Sequence, residues 1–500
     1  MNDPGQPHGG SVTPGQGNPP PGRVRVHVPD RADPWIAAVA ATLLAMLFSW
    51  RPSFWFDEAA TVAAANRSEI DILRLLLNFD AVHGLYYLTM HAWFSWVPIN
   101  EFTARLPSAV AVGVAAAGVV VLGKLVADRP TAWAAAVAFT VLPRTLWSAV
   151  EARSYALTAA VAVWLTVVLV IAAARRGSAL WVLYALTLSL AIVTYVYLGV
   201  LVLAHAVTLS VTRKWRQLLP FVLAVAAALV LASPLIALAA RQRHTQLWWI
   251  GGGGYLTGVI WEQWLTGSRL FMCATVILLA WGSVLLITRK IGRDALAVAL
   301  PWVVVPTAVL VSYSALVTDI YSPRYLTYTA PGLGLLLGVC AAAIARERSR
   351  ILVVILAVLT VTSSTAFVTQ RSVYGKPGGA DYSEIARVVK ANSRPHDCLA
   401  FGTAAHEPLR AAAAARPDAF ARLDDVAAGV PGPYAAQLWT QDLPLDSDAV
   451  RPRLAACTVL WAVVDRTTPS SVVNIAQRQG FKVDREWVLH RSNVIRLQRA

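Results

Sequence analysis

Ser53-Phe54-Trp55-Phe56-Asp57-Glu58-Ala59-Ala60 sets two adjacent carboxylates behind an aromatic run and ahead of an alanine-rich stretch. The apolar segment 35–50 precedes it, so the pair falls just past the outer end of a first hydrophobic span. A charge held at the boundary between hydrocarbon and water is expensive and usually has a functional partner. This stretch therefore reads as the rim of a membrane-embedded site, with Asp57 as the candidate base of a reaction at the membrane surface. Its competing reading is an interfacial carboxylate paired with Arg51 or Arg105.

Composition supports a membrane protein. Of the 500 residues, 57% are hydrophobic and only 14% charged, more apolar surface than a soluble domain needs. The formal net charge of +15 does not indicate nucleic acid. The basic residues sit in short clusters between apolar spans, which is a topology signal.

A spanning helix needs about 20 apolar residues. Stretches of that kind run at 35–50, 105–126, 131–149, 154–174, 179–195, 196–212, 218–240, 270–288, 295–317, 326–345 and 351–369. They give about eleven spans, with termini on opposite sides; merging the two that meet near Tyr195 would give ten. The clusters Lys124/Arg129, Arg175/Arg176, Arg213/Lys214/Arg216, Arg289/Lys290/Arg293 and Arg346/Arg348/Arg350 then all lie on one side, which the positive-inside rule makes cytoplasmic. The longer segments 51–104, 241–269 and 370 onward are left outside, with the turn 144–153 and the short 318–325.

Three units follow. Residues 1–34, rich in Gly and Pro, read as a disordered cytoplasmic tail without the features of a cleavable signal. Residues 35–370 form the membrane unit. Residues 371–500 contain no further span and read as a small extracytoplasmic α/β domain, with helices at Asp381–Asn392 and Pro469–Gln479 and short apolar runs at Cys398–Phe401 and Thr458–Val464. The runs Glu486–His490 and Val494–Leu497 flank Ser492-Asn493 and look like a hairpin.

The first outer loop is the richest in chemistry. Ser68 is a plausible helix cap for an amphipathic helix over 69–77 lying in the interface. Asp80-Ala81-Val82-His83-Gly84-Leu85-Tyr86-Tyr87 follows, then the aromatic stretch around His91 and the entry Arg105-Leu106-Pro107-Ser108. Further outer turns carry Glu151-Ala152-Arg153-Ser154-Tyr155-Ala156-Leu157 and Tyr321-Ser322-Pro323-Arg324-Tyr325-Leu326. Tyr86 and Tyr87 read as belt residues and His91 as a packed core histidine. The run Gly251–Gly254 reads as a hinge or lid, because no Lys-Ser/Thr follows it as in a phosphate-cradling loop.

In their order and spacing, the segments Trp55–Glu58, Asp80–Tyr87, Arg105–Ser108, Glu151–Leu157 and Pro323–Leu326 resemble the GT-C membrane glycosyltransferases of the protein-mannosyltransferase and lipid-A-glycosyltransferase type. The resemblance covers roughly residues 35–370. The family usually has a Pro pair after the histidine, where this chain has Gly84-Leu85. The resemblance implies transfer of a sugar from a polyprenyl-phosphate carrier to a glycan, glycolipid or protein acceptor outside the cell membrane. Asp57 and Glu58 would be catalytic; Asp80, His83, Glu151, Arg153 and Arg324 would bind substrate.

The chemistry of the residues agrees. An acceptor hydroxyl loses its proton as it attacks the anomeric carbon, which suits a nearby carboxylate. The departing lipid phosphate gathers negative charge, which suits the guanidinium fork of Arg324. The excess of Ala and Arg over Lys points to a GC-rich genome, and among mannose and arabinose donors we favour mannose. A transporter or flippase of lipid-linked sugars is the alternative, but the notable carboxylates cluster at one face and no internal repeat is visible. A scaffold protein working through its soluble tail would not need the acid pair.

No His/Cys spacing suggests a metal, and no cofactor is expected. Cys273 and Cys340 lie within spans as small apolar residues. Cys398 and Cys457, the only cysteines of the tail, each stand at the start of an apparent strand. Parallel neighbouring strands would bring them within reach of a disulfide in an oxidising space.

Overall fold

The computed structural model describes residues 30–175, 177–247, 249–404, 407–435 and 437–500. Most of the expected tail 1–34, and Arg176 of the second basic cluster, lie outside them.

A helix stands at each expected apolar stretch. The first part of the chain forms α1 (Asp33–Met46), α2 (Phe56–Ala65), α3 (Glu69–Asn78), α4 (Gly84–Phe94), α5 (Glu101–Val126), α6 (Arg129–Val141), α7 (Pro143–Ala149) and α8 (Tyr155–Ala174). It continues with α9 (Ser178–Thr194), α10 (Leu201–Val211), α11 (Leu218–Gln246), the single turn α12 (Tyr255–Thr257), α13 (Arg269–Arg289), α14 (Arg293–Leu316), α15 (Ala330–Ala345) and α16 (Ser349–Gln370). Among the described residues, seven helices are long and apolar enough to cross a membrane, and Ser178–Thr194 and Val196–Val211 are shorter apolar helices.

Two departures from the expected spans have local causes. The stretch 131–149 is not one helix but two, because Pro143 forces Leu142 out of the helical region to ψ 129°. Near Tyr195 the chain does break: Tyr195 is extended at φ −166°, and a 3₁₀ turn leads into α10. Within α5, Pro107 cannot donate to the carbonyl of Thr103; the Trp93 indole takes that acceptor at 2.8 Å.

Small residues allow the tight packing of α15 on α6. A Cβ on Gly338 would lie 2.5 Å from the Ala135 nitrogen, and one on Gly334 would lie 2.6 Å from the Phe139 Cβ. Glycines four apart on one face let two backbones meet. Cys340 is buried, whereas Cys273 is exposed on α13 rather than packed in the interior. Two of the basic clusters meet: Arg289, Arg346 and Arg348 line one cleft, and Lys290 and Arg293 line another beside Asp128.

The C-terminal segment folds as α17 (Tyr382–Asn392), β1 (Cys398–Phe401), α18 (Ala411–Ala415), α19 (Pro417–Phe420), β2 (Asp424–Asp425), α20 (Arg451–Ala455), β3 (Val459–Asp465), α21 (Ser471–Arg478), β4 (Phe481–Val488) and β5 (Ser492–Arg499). The sheet order is β2-β1-β3-β5-β4, with β2, β1 and β3 parallel and β5 antiparallel to both neighbours. The hairpin is longer than its sequence suggests, and its turn falls at 489–491 rather than at Ser492-Asn493. The Asp381 carboxylate accepts from the Arg491 and Ser492 amides and fixes that turn. Cys398 and Cys457 are bridged, with Cα atoms 6.0 Å apart.

This segment shares a hydrophobic core with the stretch 51–104. Phe54, Ala59, Val62 and Ala152 pack with Tyr382, Ile385, Leu399, Trp461 and the alanines of α18. Alanine facing alanine lets α18 sit directly on α2, the helix that opens with the acid pair. Reciprocal bonds at 3.0 Å, from Phe54 N to Ser383 Oγ and from Ser383 N to Ser53 Oγ, hold the two parts together.

Candidate active site

Asp57 and Glu58 occupy the first turn of α2. Neighbours in a helix are rotated by about 100°, so the two carboxylates leave α2 in different directions and enter different networks.

Asp57 faces the two arginines. Arg324 Nη1 donates to its Oδ2 at 2.9 Å, and Arg153 Nη2 lies 3.6 Å from Oδ1. Burial alone would raise the Asp57 pKa; the charges of Arg324 and Arg153 outweigh it and hold the carboxyl below its ordinary value. Arg324 comes from the 3₁₀ segment Pro323–Thr329, and its guanidinium lies 5.7 Å from the Trp55 ring and 4.8 Å from that of Trp249. Its side chain is 20% exposed, against 11% for Asp57 and 8% for Arg153. The cluster is therefore approached from the Arg324 side.

Behind Asp57 lies a second layer. Arg153 Nη1 donates to the Tyr87 hydroxyl at 2.8 Å, and that hydroxyl donates in turn to Asp80. Asp80 lies 3.9 Å from both Arg153 and His83. Its backbone is left-handed at φ 60°, a conformation costly for a residue other than glycine. Two glutamines of α11 hold this turn: Gln242 accepts from Ala81 N at 2.9 Å and donates to Leu76 O at 2.8 Å, and the Gln246 amide pairs with Asp80. Burial pushes His83 down to about 4, so its imidazole is neutral near pH 7. His83 Nδ1 and Arg153 Nε are buried without a hydrogen-bond partner among the described residues. His83 stacks on Tyr195, which continues through Tyr325 and Tyr197 as an aromatic wall.

Glu58 turns the other way. Arg105 grips it with Nε at 2.7 Å and Nη2 at 2.6 Å, and the Ala152 amide donates to it at 3.0 Å. Lys376, from the connection after α16, lies 3.5 Å from Glu58 and 2.7 Å from Glu151. The Trp55 indole also donates to Glu151, at 2.8 Å. All four ionic side chains of this cluster are buried. Burial pushes Glu151 up to about 7 against the pull of Lys376, while Arg105 and Lys376 keep Glu58 low despite its burial.

Of the residues singled out in the sequence, the fold thus brings Asp57, Asp80, His83, Arg153 and Arg324 together. It sends Glu58 and Glu151 into a neighbouring cluster with Arg105 and Lys376. Asp57 pairs with neither Arg51 nor Arg105. Tyr86 and Tyr87 are buried, not belt residues, and Tyr87 links Asp80 to Arg153. His91 is half-buried and meets the Ala65 carbonyl at 2.8 Å. Sequence reasoning missed Lys376, Gln242, Gln246 and Trp249. A lone lysine directly after a span, in Tyr374-Gly375-Lys376-Pro377, was the one available signal.

No protein-family profile matches the chain, and no curated protein matches it in sequence. Solved structures do match in fold. ArnT from Cupriavidus metallidurans, in the apo state and bound to undecaprenyl phosphate, superposes with a TM-score of 0.60 at 14% identity, over 93% of this chain and 98% of that one. The archaeal oligosaccharyltransferase AglB from Archaeoglobus fulgidus, in complex with an inhibitory peptide and a dolichol-phosphate, gives a TM-score of 0.50 at 11% identity, over 87% of this chain and 69% of that one. At such identities the likeness is one of fold alone: the chain has the GT-C fold.

Proposed function

We propose that this chain is a membrane glycosyltransferase that moves a sugar, mannose in our reading, from a polyprenyl-phosphate carrier to a glycan, glycolipid or protein acceptor outside the cytoplasmic membrane. The observation that carries the reading is a buried carboxylate, Asp57, bonded to the more accessible of two converging arginines. Two solved chains of the same fold are bound to undecaprenyl phosphate and dolichol-phosphate, which supports a lipid-phosphate donor.

The chemistry divides between the two charges. The acceptor oxygen attacks the anomeric carbon and passes its proton to Asp57. The bond from that carbon to the phosphate oxygen breaks, and its electron pair leaves with the lipid phosphate, whose charge rises. Arg324 meets that charge, and the unpaired Nε of Arg153 offers a further donor. In the resting site Arg324 holds the Asp57 pKa down. A phosphate that takes over Arg324 removes part of this pull, so donor binding makes Asp57 a stronger base. Asp80 and His83 orient Arg153 and line the donor pocket, and the aromatic wall beside Tyr195 takes the sugar or the first isoprene units. Glu58 and Glu151 position α2 from the adjoining cluster. In this reading the bundle crosses the membrane eleven times, the N-terminus is cytoplasmic, and the division is 1–34, 35–370 and 371–500.

The test is transfer from radiolabelled prenyl-phosphate-mannose in membranes, with candidate acceptors, comparing the native chain with Asp57→Asn. Transfer is expected to fall at least a hundredfold, as for loss of a general base, with membrane insertion unchanged. Normal turnover by the variant would remove Asp57 from the reaction.

A further inference from the structure

A second charged feature lies away from the Asp57 cluster. Between the outer end of α1, the start of α5 and the exposed face of α17 is a cleft of about 370 Å³, lined by Trp50, Arg51, Glu101, Arg387, Lys390 and Arg416 among others. Arg416 pairs with Glu101 at 3.0 Å, and Lys390 pairs with Asp418 at 2.7 Å. Arg51 and Arg387 are exposed and make no ion pair among the described residues. Two uncompensated guanidiniums thus face one cleft.

Its depth is fixed by its neighbours. Trp50 is 50% exposed and packs edge-on against Phe102, and Phe48 beside it is exposed as well. Tryptophan in that setting marks the headgroup level of a bilayer. Below it, Val39 and Leu43 of α1 and Leu47 at its C-cap form an exposed apolar stripe at four-residue spacing that ends three residues before Trp50. An apolar track ending at a cationic cleft matches one kind of occupant, a molecule with an acyl chain and an anionic head.

We propose that this cleft binds the phosphate headgroup of an anionic phospholipid in the surrounding leaflet. Charge complementarity selects the headgroup, since guanidinium donors suit phosphate oxygens, and the α1 stripe seats an acyl chain. Ser383 also lines the cleft, and its backbone and hydroxyl bond to Ser53 and Phe54. A bound lipid therefore bridges the membrane unit and the C-terminal segment at the clamp just ahead of Asp57. This inference does not depend on the proposed reaction.

Thermal unfolding of the full-length chain in neutral detergent micelles tests it, with phosphatidylglycerol, phosphatidylcholine or inorganic phosphate added. Phosphatidylglycerol is expected to raise the Tm in a saturable way, and the other two are not. In Arg51→Gln/Arg387→Gln the apparent affinity for phosphatidylglycerol should fall more than about tenfold, each basic residue near an anionic lipid being worth a factor of roughly five. The single variant Arg51→Gln should show about half that loss on a logarithmic scale, and Arg213→Gln/Lys214→Gln at the other end of the bundle should show none. An equal response to phosphatidylcholine, or unchanged affinity in both cleft variants, overturns the proposal. A response to inorganic phosphate equal to that for phosphatidylglycerol overturns it too, in favour of a soluble phosphate ligand.

Discussion

Lys376 is the residue whose role depends most on its surroundings. An ammonium buried beside Glu58 and Glu151 is tolerated because two carboxylates compensate it. Lys376→Met leaves Glu151 buried opposite an apolar side chain, and breaking a buried pair from one side costs about 3–5 kcal/mol. We expect a marked loss of Tm, partly recovered by adding Glu151→Gln, which removes the stranded charge; a double-mutant cycle measures the coupling. His83 gives a pH signature. Its folded pKa of about 4 lies below the unfolded value near 6.5, so between those values the unfolded chain binds the extra proton. The stability tied to neutral His83 is present above about pH 6.5 and is lost as pH falls toward 4, by up to about 3 kcal/mol. His83→Gln should therefore show a shallower fall in Tm over that window than the native chain.

At the scale of elements, α11 and α2 act through what they hold. The long α11 ends beside the turn that follows α3, where Gln242 supports Asp80 in its left-handed conformation. Gln242→Leu keeps the volume but strands the Ala81 amide and the Leu76 carbonyl. Unsatisfied buried groups cost about 1–3 kcal/mol each, so we expect a Tm decrease together with weaker donor-lipid binding. Unchanged donor binding would show that this turn does not shape the pocket. The α2 helix illustrates what a motif leaves open. Adjacent acids in a helix point apart, and which one meets Arg324 depends on the rotation of α2 about its axis. That rotation is set by the packing of Ala59 and Val62 against α18, some 350 residues further along the chain.

At the scale of the molecule, the C-terminal segment is stapled internally and docked externally. The Cys398–Cys457 bridge ties the starts of the parallel strands β1 and β3 across a sequence separation of 59. In the chain-entropy model a loop of that length stabilises by about 4 kcal/mol. Cys398→Ala/Cys457→Ala should lower the unfolding temperature of this segment by a corresponding amount, and reductant should affect the native chain and not the variant.

Much of this architecture is legible in the sequence, because the forces that set it are local. Apolar length and basic-cluster spacing mark the helices. Ser68 marks the start of α3, whose amide at Asp71 it does cap at 3.2 Å. The strands β1 and β3 also appear as short apolar runs. Asp57 and the four residues gathered around it are recognisable by type, since ionisable side chains set among apolar spans need partners. The sequence does not contain their pairing. Asp57 and Arg324 are 267 positions apart, and Glu58 and Arg105 are 47 apart, so which acid meets which base depends on how the helices are rotated and packed. The same holds for Lys376 and for the core shared between α2 and the C-terminal segment. A local pattern fixes which segments are helices and where they meet water; only close packing of the assembled helices selects one arrangement of buried charges, because each such charge is tolerable only where its partner lies within a few ångströms.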